Sequence, residues 1–325
     1  MAVEESSVVA AACHGAKLAR YGGGFTATST EPLMTGQIQL ILESPVDFKK
    51  ILAAHKNHLI ETINQGNPRL VKRGGGLKDI TWYYLEPIKS LVILVHVHTA
   101  EAMGANIVNT ICEELSYLLH PLFEGSQLGL RILTNLTKNR RASAQCLIPP
   151  EAYGKSIEEG QLINQKIFQA WEFAWHDIYR ATTHNKGVMN GIDPVLIATG
   201  NDWRAVEAGA HAWASVTGTY RPLTSWALSS SGALKGVIDI PLSLGTVGGV
   251  TRLHPTAQLS MAILGNPKAK ELSEIICCVG LAQNLSALRA LAVEGIQRGH
   301  MKLHKKNLHL ANQLASLNKT TSTKS

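Results

Sequence analysis

The residue content of segment 180–207 constrains this chain more than any other feature. The segment holds one lysine, one histidine, two aspartates, two arginines and three asparagines, interrupted by glycines and a proline. A solvated surface would not need so many amides and glycines, and a hydrophobic core would not accept so many charges. The composition therefore indicates a site that binds an anion and handles protons.

Chain length and cysteine use set the broad class. With 325 residues, the chain can bury a sizeable core and hold two structural units. Five cysteines without a C-x-x-C pair argue against a disulfide framework or a zinc site, and favour a reducing cytoplasm. The start lacks the basic region of a signal peptide. Polar residues interrupt the apolar run 275–293, which predicts a buried helix and not a membrane span.

The net charge of +7 has two interpretations. It reflects either a solvated basic surface with a basic C-terminal tail, or a small anionic partner that carries phosphates. No basic run alternates with aromatic residues, so we expect no nucleic-acid partner.

Hydrophobic periodicity predicts alternating strands and helices. We expect helices at 7–20, 46–65, 105–120, 156–179, 203–216 and 269–299, and strands at 36–42, 80–85, 91–98, 127–133 and 142–148. A glycine-rich loop is expected between residues 245 and 255, and a poorly ordered tail after residue 312. The strands of the first part, with two helices, predict an α/β sandwich of ferredoxin-like type.

Several common site motifs are absent. No G-x-G-x-x-G follows a strand, and neither G-x-x-x-x-G-K-[ST] nor G-x-S-x-G occurs. His300 and His304 have the spacing of one helix face, but no glutamate follows His300, so we expect no metal there. Taken alone, Lys186 is either a surface lysine or a partly buried cation paired with Asp202.

Six separated motifs run in order along nearly the whole chain. They are E-E-S-S-V-V-A-A (4–11), E-A-M-G-A-N (101–106), R-A-T-T-H-N-K-G-V-M-N-G-I-D (180–193), T-G-N-D-W-R (199–204), G-G with H-P (248–249 and 254–255), and G-L-A-Q-N (280–284) with E-G-I-Q-R-G-H-M (294–301). Together they resemble the class II, bacterial-type 3-hydroxy-3-methylglutaryl-CoA reductases.

The resemblance implies reduction of 3-hydroxy-3-methylglutaryl-CoA to mevalonate and CoA, in two steps with two NAD(P)H. By motif, the catalytic residues are Glu5, Lys186, Asp202 and His300. Lys186, oriented by Asp202, would stabilise the oxyanion that forms at the thioester carbonyl. His300 would protonate the departing CoA thiolate, and Glu5 would be the general acid of the second reduction.

The same motif matching assigns the ligand contacts. The residues expected to hold the hydroxymethylglutaryl group are Ser7, Arg180, Thr183, Asn190 and Asn284, with the arginine as a fork for the free carboxylate. The residues expected to hold the nicotinamide cofactor are Asn67, Arg69, Glu101, Met103, Gly104, Asn106 and Asn135.

The resemblance also implies an α+β architecture. A helical large domain (1–30 and 139–298) would bind substrate, and an inserted small non-Rossmann α/β domain (31–138) would bind the nucleotide. A short C-terminal flap (299–325) would carry His300 and close over the substrates. We expect a cytoplasmic homodimer with its active site between subunits, or a larger assembly, without a metal or a membrane partner.

The chain departs from the family pattern in several places. It begins inside the pattern, so the N-terminal helix and E-N-V-I-G motif of the family are expected to be missing. The region after His300 is shorter than in most members. Glu101 replaces the aspartate of the family motif, which predicts a modest effect on cofactor binding.

The loop around Asn67 bears on the choice of cofactor. Asn67 stands where NAD-using relatives carry an acid that binds the adenosine ribose, and Arg69, Lys72 and Arg73 add positive charge. We expect a preference for NADPH; the alternative is a generic basic loop. Two other functions stay open at this point: mevalonate oxidation with NAD and CoA, and a truncated non-catalytic subunit that binds CoA esters.

Overall fold

The computed structural model describes residues 1–42 and 47–294. The helices are α1 (Ser6–Arg20), α2 (Phe48–Gly66), α3 (Pro68–Lys72), α4 (Ala105–Leu119), α5 (Ile157–His176), α6 (Ile178–Ala198), α7 (Trp203–Ala214), α8 (Gly249–Leu253), α9 (Pro255–Ile263) and α10 (Ala269–Arg289), which a π-helical turn (Ala290–Glu294) extends. The strands are β1 (Phe25–Ser29), β2 (Leu33–Ile41), β3 (Gly76–Leu85), β4 (Ser90–His98), β5 (Gln127–Leu133), β6 (Arg141–Ile148), β7 (Thr224–Leu228) and β8 (Leu234–Pro241).

Strands β2 to β5 form one antiparallel sheet in the order β3-β4-β2-β5. Along the chain the elements run β2-α2-β3-β4-α4-β5 when the short α3 is left aside, which is the ferredoxin-like βαββαβ arrangement. The β-branched sequence of β4 fits its central position, and Ile93, Val95 and Val97 are fully buried. Apolar side chains of α2 and α4 cover this sheet and complete one hydrophobic core. The predicted α+β class and the ferredoxin-like unit are confirmed.

The second antiparallel sheet has the order β1-β6-β8-β7 and packs against helices. Helix α10 lies at the centre of this second core and contacts α1, α5, α6, β1, β6 and β8. Glycines permit the closest helix contacts: a Cβ atom on Gly15 of α1 would lie 2.1 Å from the carbonyl oxygen of Ala282 on α10.

Within residues 1–42 and 47–294, one apolar helical segment, Ala269–Val293, has the length and composition of a membrane span. Over half of its most apolar window is buried inside the protein. Leu272, Ile276, Leu281 and Leu285 are fully buried, so the segment is a core helix of the kind predicted for 275–293.

Several predicted boundaries were wrong. Strand β6 (predicted at 142–148) belongs to the second sheet, since it pairs with β1 and β8 and not with the ferredoxin-like strands. The predicted helix 156–179 ends at His176, because the Asp177 side chain caps a new helix. The loop predicted between 245 and 255 contains the short helix α8. The predicted tail after 312 and the end of helix 269–299 lie outside the described residues.

Candidate active site

Helix α6 carries most of the polar segment 180–207. Its first turn is fixed by Asp177, whose carboxylate accepts a hydrogen bond from the Arg180 amide at 2.7 Å. At about 100° per residue, Arg180, Thr183, Lys186 and Asn190 fall within an arc of about 120° on one helix face. The helix therefore brings four predicted site residues together, with Thr183 and Lys186 exposed and Arg180 and Asn190 half-buried.

The opposite side of α6 is held by buried amides and an imidazole. Asn185 donates to the Arg221 carbonyl at 2.9 Å and accepts from the Leu223 amide at 2.8 Å. His184 is 1% exposed, and its Nε2 lies 2.7 Å from the Thr224 hydroxyl. Burial, with the nearby Arg180 charge, lowers the pKa of His184 to about 3, so this histidine is neutral. These contacts fix the rotation of α6 and hence the direction of the Lys186 face.

Asn284 lies in this buried network and not on an open surface. Its amide oxygen accepts from Thr224 and from the Trp226 indole, each at 2.9 Å, and its nitrogen lies 3.1 Å from His184 Nε2. All of its polar atoms thus contact other protein side chains. The predicted contact between Asn284 and substrate has no support from this geometry.

Lys186 and Asp202 do not form the predicted pair in this single chain. Lys186 is exposed, and none of the ion pairs found among residues 1–42 and 47–294 includes it. Asp202 caps α7 by accepting from the amides of Arg204 and Ala205, and it also contacts the Arg204 side chain at 3.4 Å. Of the two interpretations left open for Lys186, its exposure among residues 1–42 and 47–294 fits the surface lysine.

Glu5 and Ser7 lie at the start of α1. The Ser7 hydroxyl donates to the Glu5 carboxylate at 2.9 Å. The preceding segment is tied to α6, because the Ala2 amide donates to the Pro194 carbonyl at 2.8 Å. His300, the fourth predicted catalytic residue, lies outside the described residues.

The loop of residues 99–104, which contains the predicted cofactor residues Glu101, Met103 and Gly104, is held from inside the protein by a buried arginine. Arg140, 5% exposed, donates to the carbonyls of Ala102 and Met103 and to the Thr99 hydroxyl. Burial lowers the pKa of Arg140 to about 10, which leaves it charged at neutral pH. Gly104 has φ +99, a conformation that favours glycine, and it begins α4 without a side-chain cap. The first amides of α4 are therefore available to an anionic ligand.

Glu101 borders a cavity of about 550 Å³ that also contains two cations. Its carboxylate accepts from the Ala269 amide at 2.8 Å and from the Thr246 hydroxyl at 3.1 Å. The cations are Arg252 and Lys268. These two cations can bind the phosphate groups of a nucleotide.

The remaining predicted cofactor residues differ in their contacts and exposure. Asn67 joins α2 to α3, and its amide donates to Ile63 O at 3.0 Å and to the Glu114 carboxylate at 2.8 Å. Arg69, Asn106 and Asn135 are exposed, and Met103 packs against the core of the ferredoxin-like sheet.

Sequence reasoning missed Arg140, Arg252, Lys268 and an acidic pair, Asp193 with Glu207. Arg140 lies in a run of basic residues just before a strand, which carried no hint of burial. Asp193 and Glu207 lie inside the polar segment, but only the packing of α6 against α7 brings them into contact.

Comparison with known proteins identifies similar sequences. Residues 1–305 match the family described as hydroxymethylglutaryl-coenzyme A reductase. The chain is 45% identical to a 3-hydroxy-3-methylglutaryl-coenzyme A reductase of Archaeoglobus fulgidus, over 95% of this chain and 70% of the relative. It is 35% identical to a probable enzyme of the same name from Borreliella burgdorferi, over 95% of this chain and 71% of the relative.

Solved structures give the same result. The fold matches the class II 3-hydroxy-3-methylglutaryl-CoA reductase of Streptococcus pneumoniae bound to NADPH in open conformations, with a TM-score of 0.87 and 44% identity. The match covers 95% of this chain and 75% of that protein.

Proposed function

The chain belongs to the hydroxymethylglutaryl-coenzyme A reductase family, and we propose that Glu5, Lys186, Asp202 and His300 carry out its reaction. The enzyme is an NAD(P)H-dependent oxidoreductase that reduces a coenzyme A thioester, 3-hydroxy-3-methylglutaryl-CoA, to mevalonate. The observation that carries the assignment is the family match over residues 1–305, which includes all four positions.

The substrate acyl group is proposed to lie along the exposed face of α6. Arg180 supplies a guanidinium for the free carboxylate, and Thr183 and Asn190 supply neutral hydrogen-bonding groups on the same face. Ser7 joins them from α1, where its hydroxyl already contacts Glu5. The bound nicotinamide cofactor supplies the hydride in each of the two reductions.

Lys186 acts where negative charge develops. As the thioester carbonyl becomes tetrahedral, its oxygen gains negative charge, which an ammonium group at hydrogen-bond distance stabilises. The exposed Lys186 side chain is free to reach this oxygen. Asp202 is proposed to turn from its cap on α7 to orient Lys186 when substrate binds.

Release of CoA needs a second proton donor. Collapse of the tetrahedral adduct expels a thiolate, and protonation by His300 prevents its return. Glu5 then donates the proton to the aldehyde oxygen during the second reduction. Its position at the start of α1, with Ser7 as a partner, supports a defined direction for its carboxyl group.

The cofactor is proposed to bind between α4, the 99–104 loop and the cavity beside Glu101. Gly104, Asn106 and the free amides of α4 would contact it, with Met103 and Asn135 nearby. We propose NADPH as the preferred cofactor. Asn67 is neutral and would not repel the 2′-phosphate of NADPH, and the nearby Arg69 adds a positive charge that would attract it. The NADPH-bound relative from S. pneumoniae supports this choice.

We propose a homodimer that completes the active site, located in the cytoplasm. Exposed apolar side chains support the interface: Phe173 on α5 is 60% exposed, and Tyr179, which precedes Arg180, is 85% exposed. We also propose residues 31–138 as the nucleotide domain and residues 1–30 with 139–298 as the substrate domain. The continuous ferredoxin-like sheet within the first range supports this division. Residues 299–325 are proposed as the flap.

The test is oxidation of NADPH by the purified chain with 3-hydroxy-3-methylglutaryl-CoA, with NADH in parallel. Lys186→Ala should abolish activity, while Lys166→Ala, at an exposed lysine of α5, should leave it intact. Activity lost in both variants would contradict the role of Lys186. Absence of activity with both cofactors in a folded wild-type protein would favour the non-catalytic CoA-ester-binding alternative. Faster mevalonate oxidation with NAD and CoA than reduction would favour the degradative direction.

A further inference from the structure

Two acidic side chains outside the proposed catalytic set contact each other between α6 and α7. The carboxyl of Asp193 on α6 forms a hydrogen bond with the carboxyl of Glu207 on α7. Two carboxyl groups can form such a bond only when one of them is protonated. The other oxygen of Asp193, Oδ1, is buried, and no hydrogen-bond partner for it exists within the described part of the chain.

The groups around the two carboxyls determine whether Asp193 or Glu207 holds the proton. Glu207 lies 2.7 Å from Nε2 of His211, and this contact lowers the pKa of Glu207 while raising that of His211. Burial, followed by the contact with Glu207, raises the pKa of Asp193 to about 8. At neutral pH the proton therefore lies on Asp193, and Glu207 is the ionised acceptor.

The polar chain continues beyond His211 and returns to α6. His211 Nδ1 lies 2.7 Å from the Tyr220 hydroxyl, which in turn forms a hydrogen bond with the Asn185 side chain. Asn185 directly precedes Lys186. The chain of contacts thus leaves α6 at Asp193, crosses α7, and rejoins α6 beside the proposed catalytic lysine.

The same junction contacts the elements that hold the other proposed catalytic residues. Pro194, next to Asp193, accepts the hydrogen bond from Ala2, three residues before Glu5. Glu207 lies on α7, the helix that Asp202 caps. A change in the Asp193–Glu207 contact would therefore move Lys186, Asp202 and Glu5 relative to one another.

We propose that Asp193 is a positioning residue of the reductase, whose shared proton with Glu207 locks α6 against α7 in the arrangement that catalysis needs. This inference rests on the proposed function of Lys186 and Asp202. Loss of the shared proton would place two carboxylates face to face between the helices and separate them. The titratable groups that act on the pair are His211 on α7 and Tyr220 in the following loop, while α10 approaches α6 at Gly191 with the uncharged Gln283.

The test compares the pH dependence of kcat in wild type and Asp193→Asn. Asparagine keeps a neutral donor toward Glu207 and cannot lose a proton. In the wild type, kcat should fall about tenfold per pH unit once the pH exceeds the pKa of the pair. Asp193→Asn should remove the contribution of the pair, so that kcat falls less at alkaline pH than in wild type and keeps only the decline due to the proposed proton donors, with kcat at neutral pH within about threefold of wild type. Glu207→Gln, which removes the second charge, should reduce the decline by the same amount.

Asp239→Asn is the matched control. Asp239 is another half-buried aspartate, but it pairs with Arg141 and not with an acid, so its variant should keep the wild-type decline. A decline that persists unchanged in Asp193→Asn would overturn the proposal and assign the titration to another group, such as Lys186. A wild-type kcat that stays constant across the alkaline range would overturn it as well.

A second measurement separates this proposal from the proposed function. The pKa of Asp193 is raised in the folded state, so its contribution to stability is present at low pH and disappears as pH rises through about 8. The wild-type Tm should drop by roughly 3 °C more than that of Asp193→Asn between neutral and mildly alkaline pH. That difference is expected even if the chain has no reductase activity. Parallel Tm curves would show that the pair shares no proton.

Discussion

The guanidinium of Arg140 donates to the carbonyl oxygen of Met103 at 2.9 Å and so fixes the proposed cofactor loop from inside the protein. The same group also binds the carbonyls of Ala102 and Leu244, which ties the loop to the segment after β8. A lysine at this position would keep the charge but lose the planar fork that serves several acceptors at once.

Arg140→Lys is therefore expected to lower the free energy of unfolding by about 2–4 kcal/mol, because several buried acceptors lose their donors. The KM for NADPH should rise about tenfold, with kcat changed less, since the substitution disturbs binding and not the acid-base groups. Urea unfolding and steady-state kinetics measure the two effects. Arg141→Lys, at the neighbouring half-exposed arginine, is the control and should change neither value strongly. An unchanged KM in a destabilised Arg140→Lys enzyme would show that the loop does not bind cofactor.

Glu101 is one methylene group longer than the aspartate of the family motif, and one of its contacts uses this extra length. Its carboxylate reaches the amide of Ala269, the first residue of α10, whose preceding Lys268 provides no side-chain cap. Glu101→Asp should shorten this reach and cost about 1 kcal/mol of unfolding free energy, the usual value of a lost helix cap. Thermal unfolding is the measurement, and Glu271→Asp, in the first turn of the same helix, is the control. Equal stability of wild type and Glu101→Asp would contradict a capping role.

His184 makes the protein sensitive to acid. Its folded-state pKa of about 3 lies below the ordinary histidine value of 6.5, so the unfolded chain binds a proton that the folded protein does not. The stability contributed by neutral His184 is fully present above about pH 6.5 and is lost as pH falls toward 3. Between pH 7 and pH 5.5 the loss should be about 1 kcal/mol. His184→Gln should reduce this loss while lowering stability at pH 7, because it disturbs the contacts with Thr224 and Asn284.

Urea unfolding at both pH values tests the assignment. The exposed His58→Gln on α2 is the control, and its change in stability between the two pH values should match that of wild type. The half-buried Asp193 acts in the opposite direction, since its raised pKa lowers stability as pH rises, so the variant must be compared with wild type at each pH. The same dependence on pH in His184→Gln as in wild type would rule out His184 as the cause.

The sequence predicts the ferredoxin-like unit well because its strands and helices have clear apolar periods, as in β4 and α4. The helix α6 within segment 180–207 could not be predicted from the apolar pattern. Buried amides such as Asn185 stand on its inner face, where apolar residues would give the helical period. Motif matching assigned Arg180, Thr183, Lys186 and Asn190 to the site, and their spacing places them on one face of α6, a helix that the sequence pattern did not predict. Neither motifs nor spacing could predict the Asp193–Glu207 contact, which depends on how α6 and α7 pack.

Cofactor preference provides the most direct test of the loop that joins α2 to α3. The amide of Asn67 donates to the Glu114 carboxylate, so Asn67→Asp would place two acids 2.8 Å apart where a donor now lies. That charge should also repel a 2′-phosphate and accept a ribose hydroxyl. We expect the ratio of kcat/KM for NADPH to that for NADH to fall at least about tenfold, which corresponds to about 1.4 kcal/mol.

Glu114→Gln separates the two effects, because it removes the same contact partner without adding negative charge, and it should leave the ratio within about threefold of wild type. A ratio unchanged in Asn67→Asp would mean that this loop does not contact the adenosine ribose, and the NADPH preference would have to come from elsewhere in the site.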